Sequence, residues 1–156
     1  MRGDPARRPH TLVPPPLVYA IALGGAWWLR SRLPWPLDPG GAARPLGWAL
    51  IALGLAGFAW ALAAIRFRQT TVNPYKAASC LVTHGPFRYS RNPIYLADWF
   101  VYAGTTLLLG TAWPLLFAPL VFLAMRYLVI DHEERHLEAR FGDEYRAYKA
   151  RVRRWL

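Results

Sequence analysis

The sequence predicts an all-α, multi-pass transmembrane helical bundle of about four spans, the last two a helical hairpin, ending in a C-terminal amphipathic helix at the cytosolic surface. Three observations predict it. Of the 156 residues 54% are hydrophobic, yet the formal net charge is +10, so polar and apolar character must be segregated along the chain. Long stretches almost without charge alternate with arginine-rich ones. Those basic segments also fall on alternate sides of the apolar stretches, as expected when cytosolic loops are enriched in Lys and Arg. The length suits one domain, 1–156, and nothing suggests a second.

The first apolar stretch, 12–29, opens with Pro14, Pro15 and Pro16, which favour an extended entry before helix begins near Leu17. Its arginine-rich front resembles a secretory leader, but the prolines interrupt the apolar region and Ala26-Trp27-Trp28 offers no small-x-small cleavage site, so a retained span is expected. Trp27, Trp28 and Trp35 then form an interfacial aromatic belt. The second stretch, 45–65, carries no charge and would be about 32 Å long as a helix, enough to cross hydrocarbon. The third, 94–109, and the fourth, 113–130, are separated only by Gly110, Thr111 and Ala112, so they are expected to be antiparallel neighbours. The single Cys80 excludes an internal disulfide and a multi-cysteine metal site, and reads as a small apolar filler.

Orientation follows from the basic residues. On one side lie Arg2, Arg7 and Arg8, then Arg66, Arg68, Lys76, Arg88 and Arg91, then the cations from Arg135 to Arg154; the other side has Arg30, Arg32 and Arg44. Both termini and the central loop, with segments 81–95 and 131–156, are therefore expected in the cytosol. A composition rich in Arg, Ala, Pro and Trp points to a high-GC bacterial source and so to an inner membrane. Attraction to anionic headgroups accounts for most of the charge, and no recognition motif for nucleic acid accompanies it. Inside the third and fourth spans, Asp98 and Arg126 stand at equal distances from the hairpin turn, so a helix-to-helix ion pair is expected. The same register sets Arg91 opposite Glu133 and Ser90 opposite Glu134.

Two cytosolic segments carry groups capable of chemistry. In the loop, Gly85-Pro86 and Asn92-Pro93 break the chain, the second starting a helix with proline in its first turn. Between them, His84, Phe87, Tyr89 and Arg91 could wrap a ligand, stack on an adenine-like ring and hold a carboxylate or ribose; they equally suit an ordinary interfacial turn. In the tail, Ile130, Glu134, Leu137 and Phe141 form one helical stripe, which directs Glu134 at the apolar face. After Gly142 a second stripe, Phe141, Tyr145, Tyr148, Val152 and Trp155 or Leu156, reads as a helix lying on the bilayer. His132-Glu133-Glu134-Arg135-His136 matches the H-E-x-x-H zinc-protease signature. Its imidazoles, however, are opposite Ile130, Leu137 and Phe141 and are expected to face water, with no third ligand following, whereas catalytic zinc takes three. No metal is expected.

Residues His84 to Tyr95, a hairpin, Glu133-Glu134-x-x-Leu137, Phe141-Gly-Asp-Glu-Tyr145-x-x-Tyr148 and Val152-x-Arg154-Trp155 together resemble the isoprenylcysteine carboxyl methyltransferase and phospholipid methyltransferase superfamily of membrane enzymes. The resemblance covers roughly Leu81 to the C-terminus. It implies S-adenosylmethionine bound on the cytosolic side between the loop and the tail helix. Carried over by position, His84, Gly85, Tyr89, Arg91, Pro93, Tyr95, Glu133, Tyr145 and Tyr148 would line the cofactor site, with Glu134 and Arg140 tied to catalysis. Many relatives have Arg-His-Pro where this chain has Arg91-Asn92-Pro93, which puts any role of that histidine in doubt here. The acceptor implied is lipid-like or a small hydrophobic molecule, methylated on oxygen in preference to nitrogen or sulfur. A non-catalytic membrane scaffold binding lipid or a partner is the rival from another class.

Overall fold

A computed structural model describes residues 13–38, 40–67 and 80–156, and among them every regular element is helical. Leu12, Arg2, Arg7, Arg8, Arg68 and Lys76, on which the expected first span and orientation partly rest, lie outside the described residues.

Helix α1 runs Pro15–Arg32. It starts before Leu17 because Pro15 and Pro16 occupy its first turn, where the missing N–H groups would have no helical partner anyway. Only Pro15, Tyr19, Ala22 and Ala26 are buried, while Ile21, Trp27 and Trp28 are exposed. Helix α2, Ala43–Phe67, buries a stripe of small residues that includes Gly47, Gly54 and Ala61. That stripe lies against α3, Pro93–Leu109. A Cβ built on Gly104 would stand 2.5 Å from the Gly47 carbonyl oxygen, and one on Gly54 2.7 Å from that of Ala97. The two backbones therefore touch, the usual way helices associate where lipid removes the hydrophobic drive between them.

Gly110 ends α3 in the left-handed conformation, φ 62°, and α4 begins at Trp113 and runs to Ala124. The short turn is as expected, and the helices it joins meet through side chains, the Tyr102 hydroxyl donating to the Pro114 carbonyl at 2.7 Å, but the closest backbone approach of α3 is to α2, and that of α4 to α1. Bulky rings fill the space between α3 and α4. Trp99 of α3 faces Phe122 of α4 at 6.4 Å and Tyr19 of α1 at 5.9 Å, within a core that also holds Tyr102, Val121 and Met125.

A π-helical turn, Met125–Ile130, follows α4 and leads into α5, Asp131–Arg151, which kinks at Gly142 (φ 51°, ψ −120°). A π turn accommodates an extra residue and rotates everything after it relative to an α-helical wheel. The expected Asp98–Arg126 ion pair is not formed among the described residues. Arg126 is exposed, its guanidinium 5.3 Å from the Tyr127 ring centre, and Asp98 is half-buried.

Two stretches, Gly40–Phe67 and Trp113–Arg151, are long and apolar enough to cross a membrane. At one end of the bundle the 33–37 segment bonds to the α3–α4 turn, with Leu37 N–H to the Gly110 carbonyl at 3.1 Å and Ala112 N–H to that of Trp35 at 2.9 Å. At the opposite end the 80–92 loop meets residues 131–156. The tail stripe expected on the bilayer turns inward instead: Tyr145 and Tyr148 are 1% and 4% exposed, because the kink at Gly142 folds them onto the loop.

Candidate active site

The loop is seated on the end of α2 by Gly85. This residue sits at φ +60°, and a Cβ there would meet Ala64 at 3.2 Å, so the close approach and the left-handed backbone both favour glycine. A 3₁₀ turn, Gly85–Arg88, then carries the chain to Ser90 and Asn92, both buried. The tail arrives from the other side. After α5, Val152 is extended (φ −121°, ψ 130°), and the last residues run across the loop. Arg91 N–H donates to the Arg153 carbonyl at 3.0 Å, while Ser90 Oγ and Asn92 Nδ2 both donate to the Arg154 carbonyl, at 3.2 and 3.1 Å. The Tyr148 hydroxyl donates to the Phe87 carbonyl at 2.7 Å.

Two carboxylates lie beneath this strap. Glu134 is 5% exposed and is held by two arginines. Arg91 Nη2 is 3.2 Å from Oε1, and Arg154 grips both oxygens, Nε to Oε1 at 3.1 Å and Nη2 to Oε2 at 2.8 Å. Arg154 also reaches Asp131 at 3.0 Å. Burying a charge is costly unless it is paired and hydrogen-bonded, and here the compensation comes from both segments. The neighbouring Glu133 accepts a 2.7 Å hydrogen bond from the Tyr95 hydroxyl. Burial pushes the Glu133 carboxyl above its ordinary range, a shift opposed by the Tyr95 bond and reinforced by Glu134. Burial likewise raises both tail phenols, that of Tyr148 to about 12.

The pairing differs by one position from the expected register. Arg91 meets Glu134 rather than Glu133, and Ser90 meets the Arg154 backbone instead of Glu134; the π turn before α5 supplies the extra residue. His136 also departs from expectation: it is buried at 8% exposure rather than facing water, so that α5 is covered on the side of His136 as well as on that of Glu134. His132 Nδ1 lies 2.9 Å from the Tyr127 carbonyl. Among the described residues no three His, Cys, Asp or Glu side chains gather as a metal site.

Of the residues singled out from sequence, Arg91, Glu134, Tyr145 and Tyr148 come together, and Tyr95 joins Glu133. Tyr89 and Pro93 stand elsewhere, on the rim of an apolar groove between α2 and α3. This groove encloses about 420 Å³ and is floored by Leu53, Gly57, Leu96, Ala97 and Phe100, with Ser90 at its loop end. Trp60 lines it as well, its ring 6.4 Å from that of Tyr89. Arg140 is exposed, its guanidinium over Phe141 at 5.8 Å, and makes no ion pair with Glu134. Sequence reasoning missed Arg154, Ser90 and Asn92 as parts of the site. Arg154 stands in the Val152-x-Arg154-Trp155 motif, but nothing local signals that it reaches back to Glu134.

Several polar atoms in this region are buried without a partner among the described residues: both ring nitrogens of His84 and Nε of Arg91. Buried polar groups are normally satisfied, so such atoms fit contacts to a bound polar ligand.

Comparison with known proteins shows the family. The profile of the family described as phospholipid methyltransferase matches residues 43–144, more than half of the chain. An uncharacterized protein of Haemophilus influenzae is 41% identical over 63 residues, which are 40% of this chain and 100% of that protein. No solved structure matches. The match spans α2, the loop, the hairpin and the Glu133-Glu134 pair of α5, and on that basis the chain belongs to the phospholipid methyltransferase family, a family of membrane methyltransferases.

Proposed function

We propose that this protein is an S-adenosylmethionine-dependent methyltransferase held in the membrane by four spans, α1 to α4. The loop, the tail and both termini lie on the cytosolic side, and the acceptor is lipid-like or a small hydrophobic molecule. The observation that carries this reading is the convergence of residues 84–95 and 131–154 at one end of the bundle, next to an apolar groove that shares Ser90 and Pro93 with the loop. The concentration of Arg66, Arg88 and Arg91 and the tail cations at that end supports its cytosolic placement. Exposed Ile21, Trp48, Leu55, Leu116 and Leu120 suit lipid contact along α1, α2 and α4.

S-adenosylmethionine, when bound, supplies an electrophilic methyl group on a sulfonium. His84, Arg91, Tyr145 and Tyr148 are the residues we assign to hold it, through the unpartnered nitrogens of His84 and Arg91 and through the tyrosine rings, whose faces favour positive charge. The protein's contribution to such a displacement is alignment in a dry pocket. The groove between α2 and α3 admits the apolar part of the acceptor from the bilayer and brings its reactive end to Ser90. A carboxylate acceptor is ionised at neutral pH and needs no base. For an amine or thiol, Glu133 suits the proton-acceptor role better than Glu134, because burial raises its pKa, whereas both oxygens of Glu134 are engaged by arginines. Glu134 we assign to orienting the site, and exposed Arg140 to meeting an acidic group on the acceptor.

The decisive experiment incubates membranes containing the protein with tritiated S-adenosylmethionine and follows the label into lipid, protein or volatile product. Label in one fraction, reduced to a low residual level for Glu134→Gln, is expected. Failure of the purified protein to bind the cofactor would instead favour a scaffold that binds lipid without catalysis.

A further inference from the structure

We propose that Arg154 is a positioning residue for the methyl-transfer site, fixing the plane of the Glu134 carboxylate while Ser90 and Asn92 fix Arg154. The inference rests on the methyltransferase reading above and adds to it a residue that lies beyond the span matched by the family profile.

The two arginines on Glu134 are not equivalent. Arg91 touches one oxygen, through Nη2 at 3.2 Å; its Nη1 donates to the Lys149 carbonyl at 3.3 Å, and its Nε is buried without a partner among the described residues. Arg91 therefore keeps a donor for a ligand. Arg154 engages both oxygens in a fork, at 3.1 and 2.8 Å, and the same Nη2 also meets Asp131 at 3.0 Å. Its contacts are to carboxylates of the protein, so it acts through Glu134 and not on substrate. A two-point grip of this kind sets orientation as well as charge, which a lysine cannot reproduce.

The fork is itself anchored. The Arg154 carbonyl accepts from Ser90 Oγ and Asn92 Nδ2, and Ser90 Oγ also accepts from the Asn92 backbone N–H at 3.1 Å. Asn92 thus ties the tail to the loop directly before α3. Displacing a catalytic arrangement by about 1 Å costs up to about a hundred-fold in rate, so a carboxylate gripped from two segments needs such a tie.

The test compares Arg154→Lys with wild type in native membranes, using tritiated S-adenosylmethionine. Arg154→Lys keeps the positive charge and the backbone strap but loses the fork. We expect the rate at saturating cofactor to fall about ten- to hundred-fold, with the apparent KM for the cofactor and the melting temperature of the purified protein near the wild-type values. In a Glu134→Gln background the same substitution should cost nothing further, as for residues that act as a unit. A purely structural latch would lower the melting temperature without this pattern.

An unchanged rate for Arg154→Lys, or losses that multiply in the double variant, overturns the role of Arg154 while leaving the methyltransferase reading intact. A wild-type protein that neither binds the cofactor nor transfers label overturns both. If Arg154→Lys does not fold, Asn92→Ala, which loosens the carbonyl and leaves the guanidinium, replaces it. A rate loss of about three- to ten-fold is then expected, and none overturns the proposal.

Discussion

Arg91 and Glu134 form an ion pair at 3.2 Å with side chains only 9% and 6% exposed, and the pair joins the loop to α5. Removing Arg91 leaves the buried Glu134 carboxylate with the Arg154 fork alone and unties the loop from α5, and the loss of a hydrogen bond to a charged group costs about 1.5–3 kcal/mol. Arg91→Ala should therefore lower the melting temperature of the detergent-purified protein markedly, and Glu134→Gln, which keeps an acceptor for both arginines, should lower it less. Equal melting temperatures for Arg91→Ala and wild type would mean that the pair is not closed in the folded protein.

Glu133 predicts a pH dependence of stability. Its folded pKa is raised above the ordinary 4.5, so the folded state holds this proton more tightly than the unfolded chain. The resulting stabilisation is complete below about 4.5 and is lost as pH rises through the folded pKa. Between neutral and acid pH, wild type should gain stability relative to Glu133→Gln, which cannot titrate there. Melting curves of the two proteins from pH 7 to pH 4 provide the check: a constant difference would contradict the raised pKa.

The seam between α2 and α3 predicts a steric effect. A methyl group at Gly104 would stand 2.5 Å from a backbone carbonyl of the facing helix, and a carbonyl cannot swing aside as a side chain can. Gly104→Ala should destabilise by about 1–3 kcal/mol, the usual cost of overpacking. Gly24→Ala, where nothing among the described residues lies within 4 Å, is the control and should be neutral or stabilising by up to about 1 kcal/mol in the same melting assay.

The groove predicts a separation of acceptor from cofactor effects. A Cβ at Gly57 would lie 3.6 Å from Ala97 Cβ, an ordinary contact, so alanine is tolerated while a larger side chain fills the groove. Gly57→Leu should leave cofactor binding intact and reduce methyl transfer to a hydrophobic acceptor at least about ten-fold, a loss of roughly 1.4 kcal/mol in transition-state stabilisation. Undiminished transfer would mean that the acceptor enters by another route.

Much of the architecture was readable because its determinants are local. Pro93 and Gly110 mark the ends of α3 through backbone geometry alone, and the uncharged run at 45–65 specifies α2 by composition. The meeting of loop and tail was readable as well, since a three-residue turn returns the chain to the end it left. The pairing of α3 with α2 rather than α4 was not, although the glycines at 47, 54 and 104 hint at close approach. Large rings, Trp99 and Phe122 among them, lie between α3 and α4, whereas the small residues of α2 admit the backbone of α3.

The sequence by itself determined which residues can carry charge and polar chemistry, and to which end of the bundle they go. Only the tertiary structure decided which of them touch. A π turn at 125–130 shifted Arg91 from Glu133 to Glu134, and an extended tail after Arg151 brought Arg154 back onto the same carboxylate. Neither leaves a periodic signal, because each arises where helices, loop and tail must satisfy one another's buried polar groups at once.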